Sequence, residues 1–220
     1  MTTTEKLPGV FVVVEGIDGC GSTTHSRLLA KSLRGTGREV ILTCEPTAGP
    51  IGGLIRQILQ KRLSGPKGFS WSTMALLFAA DRLDHLDSEI LPVLREGGIV
   101  VSDRYDLSSL AYQSATAPEA QSAIPWIREL NARALRPHVT IVINVPPEVA
   151  EERRKNRGGV EEVFESRALQ ERLVSIYAHA ETLVPGDHVV HVSGVGEPGE
   201  VSARILAAVR EAVPALRSSL

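Results

Sequence analysis

The sequence predicts an α/β fold, a parallel sheet of five strands flanked by helices. Three observations carry it. Five short runs rich in Val, Ile and Thr recur along the chain: VFVVVE at 10–15, EVILT at 39–43, GIVVSD at 98–103, VTIVINV at 139–145 and HVVHV at 188–192. They are apolar without strict alternation, which suits strands buried on both faces of a parallel sheet. Amphipathic stretches of helical length separate them, as right-handed crossovers require.

The elements follow in order. The first run feeds a glycine-rich turn, GIDGCGST, and then a helix over residues 22–34. The second ends in EPTAGP, whose proline and glycine make a turn. Residues 63–69 read as a connector, and residues 70–95 as helical. The third run ends in Asp103-Arg104-Tyr105, and residues 115–125 read as a second connector. After the fourth run comes a basic stretch, RRKNR, and a glycine-bearing segment at 157–162 that suits a mobile lid. A helix over 168–184 and the fifth run complete the pattern, and the tail, 213–220, is expected to fray.

The whole chain of 220 residues is expected to form one domain, with a lid near 153–165. Hydrophobic residues make up 43% and charged ones 23%, and the net charge of −2 favours neither nucleic acid nor a membrane surface. No apolar run approaches the ~20 residues that span a bilayer. The opening MTTTEKLPG lacks the layout of a secretory signal. Two cysteines make no disulfide framework, and a reducing cytoplasm is the expected compartment.

The turn after the first run carries the chemistry. Gly16, Ile17, Asp18, Gly19, Cys20, Gly21, Ser22, Thr23 and Thr24 join strand to helix. Glycines there let successive amides face one point, and the helix start adds partial positive charge. Such a loop cradles phosphate, and Thr23 stands where a Walker A hydroxyl would hold Mg2+. The bland alternative is a glycine-rich turn without a ligand. Where these loops carry lysine, this chain has Ser22. That removes a mobile charge from the β- and γ-phosphates and leaves the amide cage.

Asp103 and Arg104 end a strand at the edge where α/β proteins bind ligands. A carboxylate there holds hydrated Mg2+ or orients an acceptor; a guanidinium grips phosphate. The alternative is a surface ion pair. In SWSTMALLFAADRLDH, Met74, Phe78 and Arg82 share one helix face. An arginine on an apolar face needs a partner, either a buried carboxylate or the carbonyl of a base stacked on Phe78.

With these pieces assembled, the chain resembles the bacterial-type thymidylate kinases (dTMP kinases). The matching segments occur in the family's order: VVVEGIDGCG, TCEPTAGPIGGLIRQIL, LLFAADRLDH, SDRYDLSSLAYQ, RPHVTIVINVPPEVA and RRKNRGGVEEVFE. The resemblance implies a P-loop kinase that moves a phosphoryl group from ATP to dTMP with Mg2+, in a homodimer formed through helices near Leu76 and Leu110. It implies that Phe78 stacks on thymine, that Arg82 bonds its O4, and that Ser109 and Gln113 lie near the base. Tyr112 would press on the deoxyribose. Arg104 would bind the dTMP phosphate, with Glu45 nearby. Asp18 and Asp103 would act around Mg2+ and the acceptor, and Glu165 would match a further carboxylate of the metal site. Arg153 and Arg157, with Arg154 and Lys155 beside them, would supply lid charge in place of the absent lysine. Cys44 stands where the family often has arginine, and His138 where it often has aspartate. Two rivals remain: a kinase for another pyrimidine monophosphate, and a nucleotide-binding relative without catalysis.

Cys20, at a helix N-terminus, is expected to be a small spacer even though that position can lower a thiol pKa. His25 is expected to be a surface or packing residue; His85 follows the Phe78 face and is expected to serve packing, with the pocket or an interface as the alternative.

Overall fold

A computed structural model describes residues 7–63, 68–157 and 166–217. Five parallel strands form one sheet in the order β2-β3-β1-β4-β5. They are β1 (Val10–Glu15), β2 (Val40–Cys44), β3 (Ile99–Asp103), β4 (Val139–Asn144) and β5 (Val189–Ser193). Each lies within the run that predicts it or one residue beyond. β1 is central and fully buried, in keeping with its unbroken apolar run from Val10 to Val14. Alternate residues serve two cores. Val10, Val12 and Val14 join a cluster with Leu29, Leu33 and Ile205, while Phe11 and Val13 pack with Leu86, Ile90 and Leu94.

The helices are α1 (Ser22–Leu33), α2 (Pro50–Leu59), α3 (Trp71–His85), α4 (Leu91–Arg95), α5 (Asp106–Thr116), α6 (Ala120–Leu130), α7 (Pro147–Arg157), α8 (Arg167–Tyr177), α9 (Ala180–Leu183) and α10 (Pro198–Ala212). Ser70 caps α3, its hydroxyl accepting from the Thr73 amide at 3.1 Å. A π-helical turn, Leu86–Ile90, links α3 to α4, so residues 71–95 run without a loop.

Three sequence expectations change. Residues 120–125 are helical, not a connector, because α6 starts at Ala120 and carries Pro125 inside it. The proline sits on an exposed part of the helix, where water can satisfy the carbonyl that loses its partner. Next to it, Trp126 meets Trp71 edge to face, with centroids 5.4 Å apart. The tail does not fray at its start: Val213 and Leu216 are buried in the main core, and Pro214–Leu216 form a 3-10 turn. Leu110 is also core, so it offers nothing to a second copy, whereas Leu76 is exposed. Residues 158–165, with Glu165 and most of the expected lid, lie outside the described residues, as do 64–67 and 218–220.

The register decides where the site sits. Val14 of β1 and Cys44 of β2 both pair with Asp103 of β3. The carboxyl ends of three adjacent strands are thereby level and deliver Glu15, Glu45 and Asp103 to one edge.

Leu216→Ala should lower stability by ~2–4 kcal/mol in urea unfolding, as a fully buried leucine would; a frayed tail would show no change.

Candidate active site

At that edge a cleft of about 500 Å3 opens between the β1–α1 loop, α2, α3 and α5. Asp18, Gly19, Gly21, Ser22 and Thr23 line one end; Phe78, Arg82, Tyr105, Ser109, Tyr112 and Gln113 line another. Glu45, Asp103 and Arg104 lie between them in the same lining.

The loop adopts the conformation its glycines allow. Gly21 caps α1 with φ 97, and Gly19 has φ 90. A Cβ on Gly19 would come within 2.3 Å of the Ala150 carbonyl oxygen, so glycine there lets α7 lean onto the loop. The side chains of Ile17 and Cys20 turn into the core. The Cys20 amide is already used, donating to the Ile17 carbonyl at 3.0 Å. Gly16, Ile17, Cys20 and Thr24 are not in the cleft wall, whereas Ser22 and Thr23 are. Burial pushes the Cys20 thiol up to about 11, against the weaker pull of Arg104, so desolvation overrides the helix N-terminus.

Thr23 and Asp103 meet across the strands: the hydroxyl donates to Asp103 Oδ2 at 2.6 Å. Asp103 Oδ1 is buried with no hydrogen-bond partner. Such an oxygen calls for a partner, an ion or an ordered water, since a bare buried acceptor is costly.

Arg104 holds left-handed backbone, φ 72. Its guanidinium donates to the Gly16 carbonyl at 2.9 Å and to the Ser108 hydroxyl at 3.1 Å. It also pairs with Asp18 Oδ1 at 2.6 Å and lies over the Tyr112 ring, 5.2 Å from its centroid. Asp18 Oδ2 accepts from Gln170 Nε2 at 3.2 Å. The Asp18 carboxylate is thus engaged on the Arg104 side.

Arg82 has a buried carboxylate, one of the two partners that the sequence allows. Its Nη2 pairs with Glu45 Oε2 at 2.7 Å and donates to the Tyr105 carbonyl at 3.1 Å and the Ser109 hydroxyl at 3.2 Å. Its Nη1 donates to Asn131 Oδ1. Nε has no protein partner, and neither has the buried Gln113 Oε1. Phe78 stands half-buried at the same end.

On α7, Arg153 donates to the Cys20 carbonyl at 3.2 Å and the Gly194 carbonyl at 2.9 Å, and Arg154 donates to the Asp18 carbonyl. Two guanidinium groups therefore rest against the loop that lacks a lysine. Lys155 pairs instead with Glu151 at 2.7 Å and is largely exposed. Arg157 ends α7, and its side chain lies outside the described part of the structure.

Several residues at this edge escape a sequence reading. Glu15 is fully buried, its Oε1 accepting from the amides of Tyr105 at 2.8 Å and Ser108 at 3.1 Å. Its Oε2 accepts from the hydroxyls of Ser108 at 2.7 Å and Tyr177 at 2.9 Å. Burial raises its pKa, although Arg104, the Ser108 hydroxyl, the Tyr105 amide and the Tyr177 hydroxyl oppose the shift. A carboxylate closing an unbroken apolar strand is the signal that could have found it. Gln170, Asn131 and Arg56 give no local signal. Arg56 folds back from α2 onto the Thr47 carbonyl at 3.3 Å and the Pro46 carbonyl, and its guanidinium touches Cys44 Sγ at 3.4 Å. His25 packs beneath the loop, its Nδ1 3.0 Å from Ser202 Oγ. Burial, then Arg153 and Arg204, lower its pKa. His138 Nδ1 accepts from the Phe11 amide at 3.0 Å, a packing role.

Residues 14–194 match the family model described as "Thymidylate kinase". The chain is 39% identical over 187 residues to "Probable thymidylate kinase" of Pyrococcus horikoshii, covering 84% of this chain and 89% of that protein. It is 40% identical over 169 residues to "Probable thymidylate kinase" of Pyrococcus abyssi, covering 76% and 80%. It is 39% identical over 194 residues to "Thymidylate kinase" of Xanthomonas oryzae pv. oryzae, covering 88% and 80%.

Two measurements check the electrostatics. At pH 8 a thiol with a pKa near 11 is thiolate in about one molecule in a thousand. Cys20 should therefore resist iodoacetamide in the native state and react once urea unfolds the chain. The lowered His25 pKa means that the unfolded chain binds the extra proton first. Stability from this group is present above pH 6.5 and is lost as pH falls from there toward the folded value. His25→Asn should flatten the fall in urea midpoint between pH 7.5 and 5.5.

Proposed function

The chain belongs to the thymidylate kinase family, and from that premise we propose that it transfers the γ-phosphoryl group of ATP to dTMP, giving ADP and dTDP. One observation carries the reading: a single cleft holds both the phosphate-cradling loop and an aromatic, guanidinium-lined slot, with Arg104 between them. In this reading the loop takes the donor phosphates. Phe78 and Tyr112 give the slot its flat walls, and Arg82, Ser109 and Gln113 read the pyrimidine edge. The free Arg82 Nε–H and Gln113 Oε1 are an unused donor and an unused acceptor at that end. Arg104, braced by Asp18 and the Gly16 carbonyl, grips the acceptor phosphate and directs it toward the loop.

The donor set fits Mg2+. That ion takes one or two carboxylates and keeps waters and substrate phosphates, so a cage of protein ligands is not required. Thr23 and Asp103, with the unpartnered Asp103 Oδ1, would hold it. When bound it neutralises charge on the β- and γ-phosphates. The pairing of Asp18 with Arg104 and Gln170 favours an acceptor-side role for that residue over a metal-side one.

Phosphoryl transfer depends on charge placed around the moving group. Ser22 supplies none, so the lid does: Arg153 and Arg157, with Arg154 already against the loop, replace the missing ammonium. Closure over the cleft excludes water and limits wasteful ATP hydrolysis. Among the described residues no helix is long and apolar enough to cross a membrane. We place the enzyme in the cytoplasm, as a homodimer through the α3 face bearing the exposed Leu76 and Leu83.

A coupled assay of ADP release with dTMP, dUMP, UMP or no acceptor tests the function; release should depend on dTMP. Arg153→Ala and Arg157→Ala should each lower kcat by on the order of 10²-fold, and Ser22→Lys should restore part of the loss. Full activity in both arginine variants would refute lid compensation. Binding of both nucleotides without turnover would favour a non-catalytic relative.

A further inference from the structure

His85 does not line the cleft, yet it is fully buried and both its ring nitrogens have polar partners. Nδ1 lies 3.1 Å from Glu45 Oε1. Nε2 lies 2.7 Å from the Thr43 hydroxyl and 3.5 Å from Glu89 Oε2. A carboxylate only accepts, which assigns the Nδ1 hydrogen to Glu45. The other Glu45 oxygen, Oε2, is ion-paired with Arg82 Nη2 at 2.7 Å, a contact held by charge rather than by an aligned hydrogen bond.

The terminal torsion of a glutamate is broad and roughly two-fold, so one contact leaves its carboxylate plane loosely set. Contacts on both oxygens fix the plane. His85 therefore decides which way Glu45 presents Oε2. The Arg82 guanidinium is held by that oxygen, by Ser109, by the Tyr105 carbonyl and by Asn131. Asn131 cannot turn away, because its Nδ2 donates to the Ile127 carbonyl at 2.8 Å. His85 lies three residues beyond Arg82 on α3, and the helix passes directly into the π-helical turn after it. Turns of that kind recur at functional sites.

We propose that His85 is a positioning residue for the acceptor: it pins Glu45, Glu45 holds Arg82, and together they aim the guanidinium into the base end of the cleft. The proposal rests on the reading of that cleft as a dTMP site. It adds a residue outside the substrate's contacts that governs how tightly the base is read.

An asparagine amide reproduces the Nδ1 position and a glutamine amide the Nε2 position. His85→Asn can therefore keep the Glu45 contact, and His85→Gln the Thr43 contact. We expect KM for dTMP to rise on the order of tenfold in His85→Gln and His85→Ala, and several-fold less in His85→Asn. The change should fall on KM for dTMP rather than on kcat or KM for ATP, with similar melting temperatures for the Asn and Gln variants. Equal KM rises in the Asn and Gln variants, losses confined to kcat, or unfolding of both variants would overturn the proposal and leave His85 a packing residue. Wild-type protein that does not turn over dTMP would instead remove the functional reading, and this inference with it. The wild type reports on the one and the Asn-to-Gln ratio on the other.

Discussion

Everything at the carboxyl edge of the sheet hangs on one buried carboxylate. Glu15 ends the central strand with no solvent to support its charge. Its four donors come from three places: the Tyr105 and Ser108 amides, the Ser108 hydroxyl and the Tyr177 hydroxyl. A buried carboxylate persists only when its lone pairs are satisfied. Glu15 therefore requires β1, the start of α5 and the end of α8 to meet at one point. That junction sets where Arg104 and the α5 residues begin, and through them the walls of the cleft.

The charges of the cleft are arranged as pairs that leave one side open. Arg104 is braced by Asp18 and Arg82 by Glu45. Arg82 and Glu45 are fully withdrawn from water, so removing one partner strands the other at a cost of ~3–5 kcal/mol, whereas Arg104 and Asp18 keep some contact with solvent and depend less on each other. Such bracing fixes guanidinium groups before any ligand arrives, which reduces the ordering cost of binding. The loop follows another logic. Its amides and the α1 N-terminus are built into the backbone, and the cations near it come from α7, a separate element. A lysine would belong to the loop itself, whereas here the charge depends on how α7 sits.

The sheet and most helices were legible because their cause is local. Unbroken Val and Ile runs have few stable uses other than a parallel sheet, and all five strands lie where those runs put them. The loop and the DRY turn were legible for a similar reason, since glycine and charge at a strand end leave a strong pattern. Misreadings came where tertiary contact overrides composition. Residues 115–125 read as a connector, yet α6 begins among them at Ala120 and carries Pro125 on an exposed turn. The end of the chain resembled a loose tail, yet Leu216 fills the core. Cys20, read as a small spacer, is buried, and that burial outweighs the helix start beside it. The partners of Arg82 and Asp18 were illegible in kind: Asn131 and Gln170 lie 49 and 152 residues away from them and carry no motif. His85 was visible, but its work depends on Glu45, which comes from another element.

Arg104 carries its guanidinium on left-handed backbone, a conformation that costs a non-glycine residue ~1–3 kcal/mol. A search for sturdier variants judged by folding alone would be drawn to glycine or asparagine at this position. The bond from its amide to the Val14 carbonyl, 2.9 Å long, would survive that exchange. The grip on the loop and on Asp18 would not. The tension stored at this joint thus separates two selections, one for endurance and one for use, and an engineer seeking the first would have to leave this residue out of the library.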